Sequence, residues 1–225
     1  NFSGIGKAIT PIGNGNDGAY SVALQPDGKI VVSGSCLNGA TYDFCLARYL
    51  ASGALDLSFN GTGKVMTAIG SGTDAAYSVA LQPDGKIVVA GRCSNGTNTD
   101  FCLARYLASG ALDVSLNGNG TVITTIGSGG DIARGVALQP DGKIVVAGYC
   151  ANGTTYDFCL ARYLASGTLD VSFNGSGTVI TPIGNSDDYG YSVALQPDGK
   201  IVVAGYCVSG ANFDFCLARY LANGA

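Results

Sequence analysis

The chain has 225 residues, a net charge of −4 and a pI near 4.5. This acidic balance argues against a nucleic-acid partner, because phosphate binding needs a basic patch, and no apolar run approaches the ~20 residues of a membrane-spanning helix. The composition includes 35 Gly, no His and no Trp, and every acidic residue is Asp, so it favours β-structure and leaves few groups for acid–base catalysis.

One segment of the sequence occurs four times, and its equivalent prolines are spaced by 57 residues. Tandem units of this kind cannot bury their hydrophobic faces alone, so we expect them to stack into a single domain over residues 1–225. The repeats are predicted to form blades at about 19–70, 76–127, 133–184 and 190–221.

Each repeat is predicted to contain four short strands, which we call A to D. In the first repeat they span 19–25, 29–36, 43–50 and 63–69. Pro26-Asp27-Gly28 between strands A and B has the residue types of a tight turn. The continuous apolar run at 30–32 is typical of a strand that is covered on both faces. Four-stranded sheets repeated around an axis form a β-propeller, so we predict an all-β, four-bladed propeller of antiparallel sheets.

The two ends of the chain divide one blade between them. Residues 2–13 align with 59–70, so the chain begins with a D strand, and it ends after the C strand of the fourth repeat. We therefore expect strand 6–13 to close the last blade, either of its own chain or of a neighbouring copy. The start at Asn1, without Met, is typical of a processed mature protein or of a fragment of a longer one.

The full frame of the repeat reads FNGxGxVxT…AYSVALQPDGKIVVAGxC…DFCLARYLASGxLD. It resembles the delta-60 repeat (DUF5122-type) β-propeller family of bacterial surface or secreted proteins, and the resemblance covers essentially the whole chain. The resemblance implies a propeller fold. It implies no activity and no catalytic residues, and the paired cysteines are an addition to the usual pattern.

The eight cysteines occur as one pair in each repeat. An even count at fixed spacing predicts disulfides and an oxidising compartment. No CxxC or His-containing spacing supports a metal site, and buried free thiols are the alternative. We expect each pair to face directly across strands B and C, with an eight-residue loop at 37–44 in the first repeat. The pairs are Cys36/Cys45, Cys93/Cys102, Cys150/Cys159 and Cys207/Cys216.

An arginine recurs on every C strand, at Arg48, Arg105, Arg162 and Arg219. Four such side chains in a ring would suit an anion. Because a buried Arg is rarely left unpaired, we expect instead an ion pair with an Asp of the same repeat. These partners are Asp56, Asp113 and Asp170. The last repeat ends before its equivalent Asp, so Arg219 needs a different partner.

An aspartate also recurs just before each A strand, at Asp17, Asp74, Asp131 and Asp188. In a propeller these carboxylates would surround the channel mouth and could hold an ion or a ligand. The surrounding loops lack the pattern of a calcium-binding EF-hand, and such an Asp more often caps a turn. We predict no metal and no other cofactor.

Six Asn-x-Ser/Thr triplets are candidate glycan acceptors if the protein is secreted by a eukaryote. In a bacterial protein the same triplets are Asn-Gly turns, which is the interpretation that the family resemblance favours. They begin at Asn1, Asn60, Asn95, Asn119, Asn152 and Asn174.

The sequence contains no nucleophile elbow, P-loop or glycine fingerprint, which argues against an enzyme, including a hydrolase or lyase. We expect a non-catalytic structural module, secreted or on the cell surface, that assembles with itself or with other surface components. Strand exchange or stacking would extend it into a filament. The alternative is a lectin-like or peptide-binding module that uses the B–C and D–A loops. The B–C loops span 37–42, 94–99, 151–156 and 208–213.

Overall fold

A computed structural model describes residues 2–225, and within that range the chain forms fifteen β-strands and no helix. The strands are β1 (Asp17–Leu24), β2 (Ile30–Asn38), β3 (Thr41–Tyr49), β4 (Lys64–Thr67), β5 (Ala75–Leu81), β6 (Ile87–Ser94), β7 (Thr99–Tyr106), β8 (Thr121–Thr124), β9 (Asp131–Leu138), β10 (Ile144–Asn152), β11 (Thr155–Tyr163), β12 (Thr178–Thr181), β13 (Asp188–Leu195), β14 (Ile201–Ser209) and β15 (Asn212–Tyr220).

Each repeat forms one antiparallel sheet, with its strands in chain order. The first three sheets have four strands, β1–β4, β5–β8 and β9–β12, and the fourth has three, β13–β15. The A strands β1, β5, β9 and β13 pack against one another in sequence order and form the inner edge. The all-β class and the four repeated antiparallel sheets are therefore confirmed.

The turn between strands A and B forms as its residue types require. In the first blade the Gly28 N–H donates to the Gln25 carbonyl at 2.9 Å, and the Asp27 carboxylate accepts from the Lys29 N–H at 3.1 Å. Gly28 has a φ of +83°, which a residue with a side chain rarely adopts. The turn sequence therefore fixes where β1 ends and β2 begins.

The register between strands B and C differs from our expectation by two residues. Cys45 lies opposite Gly34, and Cys36 lies opposite Asp43, so the two cysteines are diagonal neighbours on one face. The strands continue to Asn38 and Thr41, which leaves a two-residue turn in place of the eight-residue loop. A two-residue hairpin turn that starts with Gly is a favoured connection, and it sets this register.

Every A strand contains a β-bulge at the same repeat position. In β1 the register against β2 shifts between Ala19 and Ser21, so Tyr20 has no partner residue across the ladder. The same shift leaves out Tyr77, Arg134 and Tyr191 in the other A strands. A bulge bends a strand and re-aims a side chain, so these four residues are turned out of the regular pleat.

The hydrophobic core lies between blades rather than within one. We call the face of a blade that points toward the next blade in the chain its rear face, and the opposite one its front face. The rear face of blade 2 includes Phe101 and Leu103. It packs against the front face of blade 3, which includes Ile144, Val146 and Tyr163. Equivalent clusters join blade 1 to blade 2 and blade 3 to blade 4. Each blade is therefore stabilised mainly by its neighbours, as expected for a repeat that cannot bury its own faces.

The expected strand at 6–13 does not pair with the last blade in this structure. Residues 7–12 form no strand, and they lie against blade 1, where the Tyr49 hydroxyl donates to the Thr10 hydroxyl at 2.8 Å. Phe215 of β15 is fully exposed, whereas its equivalent Phe158 is fully buried. The D strand of blade 1 makes the same Tyr–Thr contact to blade 2, where the Tyr106 hydroxyl donates to the Thr67 hydroxyl at 2.9 Å, so residues 7–12 take the place of a D strand that precedes blade 1.

Candidate functional site

The four bulge residues form a continuous row along the inner edge of the blades. The Tyr20 and Tyr77 rings lie 5.3 Å apart, and the Arg134 guanidinium lies 4.2 Å from the centre of the Tyr77 ring and 5.1 Å from that of Tyr191. We call Tyr20, Tyr77, Arg134 and Tyr191 the bulge row. A guanidinium over tyrosine faces is stabilised by the ring quadrupole, so Arg134 links three blades.

A second row, on the B strands, lies behind the bulge row. The Arg134 guanidinium donates to the Tyr149 hydroxyl at 3.1 Å, and the Ser35 hydroxyl donates to the Tyr20 hydroxyl at 3.3 Å. Tyr206 stacks on Tyr191 with ring centres 5.4 Å apart. The fourth member, Arg92, makes no such contact within residues 2–225, and its buried Nε atom has no hydrogen-bond partner there.

A pocket of about 370 Å³ opens between blades 1 and 2 on this surface. Its walls include the Tyr20 and Tyr77 rings, the Tyr42 side chain and Arg92, and Asp17 lies at its edge. Aromatic walls with a few polar groups are typical of a small-molecule site. Residues of the D–A loops and of the first B–C loop contribute to this pocket.

The four loop aspartates cap turns and do not form an open ring. The Asp74 carboxylate accepts from the backbone N–H groups of Ile69 and Gly70, both at 2.9 Å, and from that of Ser94 at 3.2 Å. Asp17, Asp131 and Asp188 accept from the equivalent N–H groups before them. Asp74, Asp131 and Asp188 are fully buried, so these carboxylates serve the loop rather than an ion in the channel.

Two of these carboxyl groups have perturbed pKa values. Burial raises the pKa of Asp74 and of Asp131 above the ordinary value, although backbone N–H donors oppose this effect. The nearby charge of Asp43 adds to the rise at Asp74, and that of Asp100 adds to the rise at Asp131. Among the residues that the structure describes, no group of three or more Asp or Cys side chains could hold a metal ion.

The predicted Arg–Asp ion pairs are present in the first three repeats. Arg48, Arg105 and Arg162 donate from Nε to the Asp56, Asp113 and Asp170 carboxylates at 2.8, 2.7 and 2.9 Å. Each pair is buried, and each arginine also donates to a backbone carbonyl of the next blade, at Ala108, Ala165 or Ala222. The pairs therefore join blades, and they are not available to an anion.

Arg219 lacks this arrangement. It is exposed, and in the described part of the chain its side chain makes no ion pair or hydrogen bond. The different partner that we expected for Arg219 is not present among residues 2–225.

These carboxyl groups make stability depend on pH in two opposite ways. Burial alone would raise the pKa of Asp113, but hydrogen bonds from Ser115 and Arg105 lower it to about 2. The pKa of Asp56 and of Asp170 is also lowered, because burial is outweighed by hydrogen bonds from Ser58 and Ser172 and by the charges of Arg48 and Arg162. A lowered folded-state pKa stabilises the fold above the unfolded value near 4, and this contribution is lost as the pH falls below it. A raised pKa, as at Asp131, gives stability that is lost as the pH rises.

We therefore expect the midpoint of urea unfolding to rise slightly as the pH is lowered from 7 toward the unfolded carboxyl value near 4, and to fall at lower pH. Asp131→Asn should reduce the rise, to which Asp74 still contributes. Asp113→Asn should reduce the fall, to which Asp56 and Asp170 still contribute. Measured unfolding midpoints between pH 7 and 2 check both effects. A fall that is unchanged in Asp113→Asn would contradict the assignment.

All eight cysteines form disulfides in the predicted pairs. The bonds are Cys36–Cys45, Cys93–Cys102, Cys150–Cys159 and Cys207–Cys216, with Cα atoms 5.6–5.9 Å apart. Each bond staples strand B to strand C of one blade. Four disulfides indicate an oxidising compartment. The pairing was predictable from the spacing, although the register was not.

Five of the six candidate glycan acceptors are exposed: Asn60, Asn95, Asn119 and Asn174 lie in turns or loops, and Asn152 is the last residue of β10. Asn1 lies outside the described residues. Their side chains serve the turns locally: the Asn60 amide donates to the Lys64 carbonyl at 3.0 Å, and the Asn152 amide donates to the Asp157 carboxylate at 2.7 Å. Asn95, Asn119 and Asn174 make comparable local hydrogen bonds. This geometry matches the turn interpretation.

Two features of the site were not found from the sequence. The bulges were missed because the A strands alternate regularly, and the only signal was the change from Tyr to Arg134 at one position. Arg92 was missed because the predicted site residues were those that recur in every repeat, whereas the positions equivalent to Arg92 in the other repeats hold Ser, Tyr and Tyr. Such a break in a near-perfect repeat is the signal that could have found it.

The structure contains no helix, within residues 2–225, that is long and apolar enough to cross a membrane.

A family model described as "Domain of unknown function (DUF5122) beta-propeller" matches the chain at residues 25–59, 82–122, 139–173 and 196–225. A comparison with curated proteins gives no match. The resemblance that the repeat sequence suggested is thus confirmed.

Similar solved structures include three proteins at low sequence identity. A protein of unknown function from Bacteroides caccae is 12% identical over 92% of this chain and 62% of its own, with a TM-score of 0.44. A catalytically inactive virginiamycin B lyase from Staphylococcus aureus is 12% identical over 92% and 57%, with a TM-score of 0.42. A gluconolactonase from Xanthomonas campestris is 14% identical over 89% and 57%, with a TM-score of 0.43. The chain thus spans less than two thirds of each of these proteins.

Proposed function

The chain belongs to the DUF5122 beta-propeller family, whose description assigns no activity, and we propose that it is a non-catalytic structural module that binds a second copy of itself end to end. The observation that carries the proposal is the exposed rear face of the last blade. Phe215 is fully exposed and Leu217 is 71% exposed, whereas the equivalent Phe158 and Leu160 are fully buried against the next blade. Burial of the two exposed side chains would contribute about 3–6 kcal/mol.

The first blade presents the surface that this face requires. Residues 2–13 lie on blade 1 as the D segment of a preceding blade would, because the Ser3 N–H donates to the Ser52 carbonyl as the Asn60 N–H does to that of Ser109. Ile9 of this segment is 97% exposed. In a second copy the segment is placed to add a fourth strand beside β15, by β-strand addition.

The polar groups at the two ends also match. Inside the chain each paired arginine donates to the alanine carbonyl of the next blade, and the Ser21 hydroxyl accepts from the Val79 N–H at 3.3 Å. By the same geometry Arg219 would donate to the Ala51 carbonyl of a second copy. The interface between two copies would thus contain the same residue types as the interfaces between neighbouring blades within one chain.

The contact is heterologous, since the rear face of one copy meets the front face of another. Such an interface closes into a ring when the rotation permits and otherwise extends into a filament. We commit to a second copy because the last sheet of this chain has three strands, β13–β15, and residues 2–13 do not pair with β15. The four disulfides support a place outside the cytosol, in a secreted or cell-surface protein.

No catalytic residue is assigned in this proposal. The repeated aspartates accept hydrogen bonds from backbone N–H groups or from arginines, so these carboxylates stabilise the fold. Neither an activated nucleophile nor a matched acid and base is part of the proposed role.

The proposal is tested by sedimentation velocity of the purified chain and of two variants. The wild type is expected to sediment as particles larger than its 22.6 kDa mass. Phe215→Asp should give monomers, because it places a charge in the interface. Val171→Asp is the matched control, since Val171 is 67% exposed but lies in the C–D connection of blade 3. A monodisperse 22.6 kDa wild type, or assembly unchanged in Phe215→Asp, would overturn the proposal.

A further inference from the structure

The pocket between blades 1 and 2 breaks the fourfold repetition of the chain. It is lined by residues of both blades, among them Asp17, Tyr20, Tyr42, Tyr77 and Arg92. Between blades 3 and 4 the corresponding space is occupied by tyrosines: the Tyr149 and Tyr189 ring centres lie 4.8 Å apart, and Tyr189 stacks on Tyr156 at 5.7 Å. The space that is open between blades 1 and 2 is thus filled by aromatic side chains between blades 3 and 4.

The cation in this pocket is uncompensated. Arg92 has no ion pair or hydrogen bond within the described range, and its Nε atom is buried. The Nε atom of Arg134, on strand A of blade 3, is also buried without a partner in the described residues, but its guanidinium donates to the Tyr149 hydroxyl and lies near three tyrosine rings. A partly buried guanidinium without a partner is costly, and a carboxylate, which accepts two parallel N–H bonds, is the ligand that best matches it.

The rest of the lining suits a ring that carries hydroxyl groups. Tyr20 is 54% exposed, and its ring is tilted by 50° to that of Tyr77, so the two provide apolar faces at the entrance. The hydroxyls of Thr73 and Ser35 line the same pocket and can exchange hydrogen bonds with ligand hydroxyls. A ligand that matches this pocket would need a carboxylate for the guanidinium, an apolar ring face for the tyrosines and hydroxyl groups for the polar side chains. Few classes of metabolite combine all three.

We propose that this pocket binds an acidic sugar, with the carboxylate on Arg92 and the sugar ring against Tyr20 and Tyr77. The site would hold one uronate residue of an anionic polysaccharide. It is independent of the end-to-end contact, since Arg92 and Tyr77 belong to blade 2.

Titration calorimetry with trigalacturonic acid, and with its methyl ester as the uncharged match, tests the proposal. The acid is expected to bind the wild type at least tenfold more tightly than the ester. Arg92→Gln should weaken binding of the acid about tenfold or more, because a charge-assisted pair is lost. Tyr20→Leu should weaken binding of both forms, since it removes one aromatic face.

Lys200→Gln is the control for net charge. Lys200 lies in the A–B turn of blade 4, where it pairs with the exposed Asp198, so its removal changes the charge by the same amount as Arg92→Gln. It should leave binding of the acid unchanged. The proposal fails if the acid does not bind, if acid and ester bind equally, or if Arg92→Gln and Lys200→Gln behave alike. These outcomes do not depend on the sedimentation result.

Discussion

Replacement of Arg105 by methionine is expected to lower the free energy of unfolding by about 3–5 kcal/mol. Arg105 is 3% exposed, and it donates to the Asp113 carboxylate at 2.7 Å, to the Ser115 hydroxyl at 3.0 Å and to the Ala165 carbonyl of the next blade at 2.7 Å. Methionine fills much of the volume but leaves Asp113 buried, with Lys86 at 3.4 Å as its remaining cation. The loss comes mainly from this buried carboxylate, which keeps only the partly exposed Lys86 as a cation.

The chain itself offers the matched control. Arg219 occupies the same repeat position but is exposed and has no partner in the described residues, so Arg219→Met should change stability by less than about 0.5 kcal/mol. Urea unfolding at a dilution where the wild type is monomeric compares the two variants. Tyrosine fluorescence can follow it, since the chain has no Trp. Equal losses in Arg105→Met and Arg219→Met would refute the role of the ion pair.

Substitution of Gly148 by alanine should destabilise the protein by about 3 kcal/mol or more, because two backbones meet at this position. Gly148 of β10 lies opposite Ala133, beside the bulge of β9. A Cβ atom there would lie 1.9 Å from the Ile132 carbonyl oxygen and 2.9 Å from the Ala133 Cα. A backbone carbonyl cannot rotate away as a side chain can, so β9 and β10 would have to separate locally.

Gly130→Ala provides the comparison for this substitution. The nearest atom to its added Cβ is the Thr99 hydroxyl at 3.1 Å, which belongs to a side chain that can move. We expect a change within about 1 kcal/mol. Urea unfolding measures both variants, and amide hydrogen exchange should show lost protection in β9 only for Gly148→Ala. A Gly148→Ala protein as stable as Gly130→Ala would show that the bulge tolerates a side chain.

Much of the fold was predictable because its information is local. The turn at Pro26-Asp27-Gly28 ends one strand and starts the next through φ preferences that act within four residues. The Arg48–Asp56 pair and the Cys36–Cys45 bond join residues eight and nine positions apart in one repeat. Their spacing was therefore visible in the sequence, four times over for the cysteines.

The sequence by itself determined the repeat, the strand order, the disulfide pairing and the three ion pairs. The tertiary structure decided the diagonal register of Cys36 and Cys45, the bulge row, the unpaired Arg92 and the position of residues 2–13. The bulge row, Arg92 and the position of residues 2–13 depend on contacts between blades, where residues about 60 positions apart meet. The cysteine register depends on a two-residue shift between strands B and C, which preserves the alternation of side chains. A shift by two leaves every residue on the same face, so the hydrophobic pattern cannot distinguish the two registers.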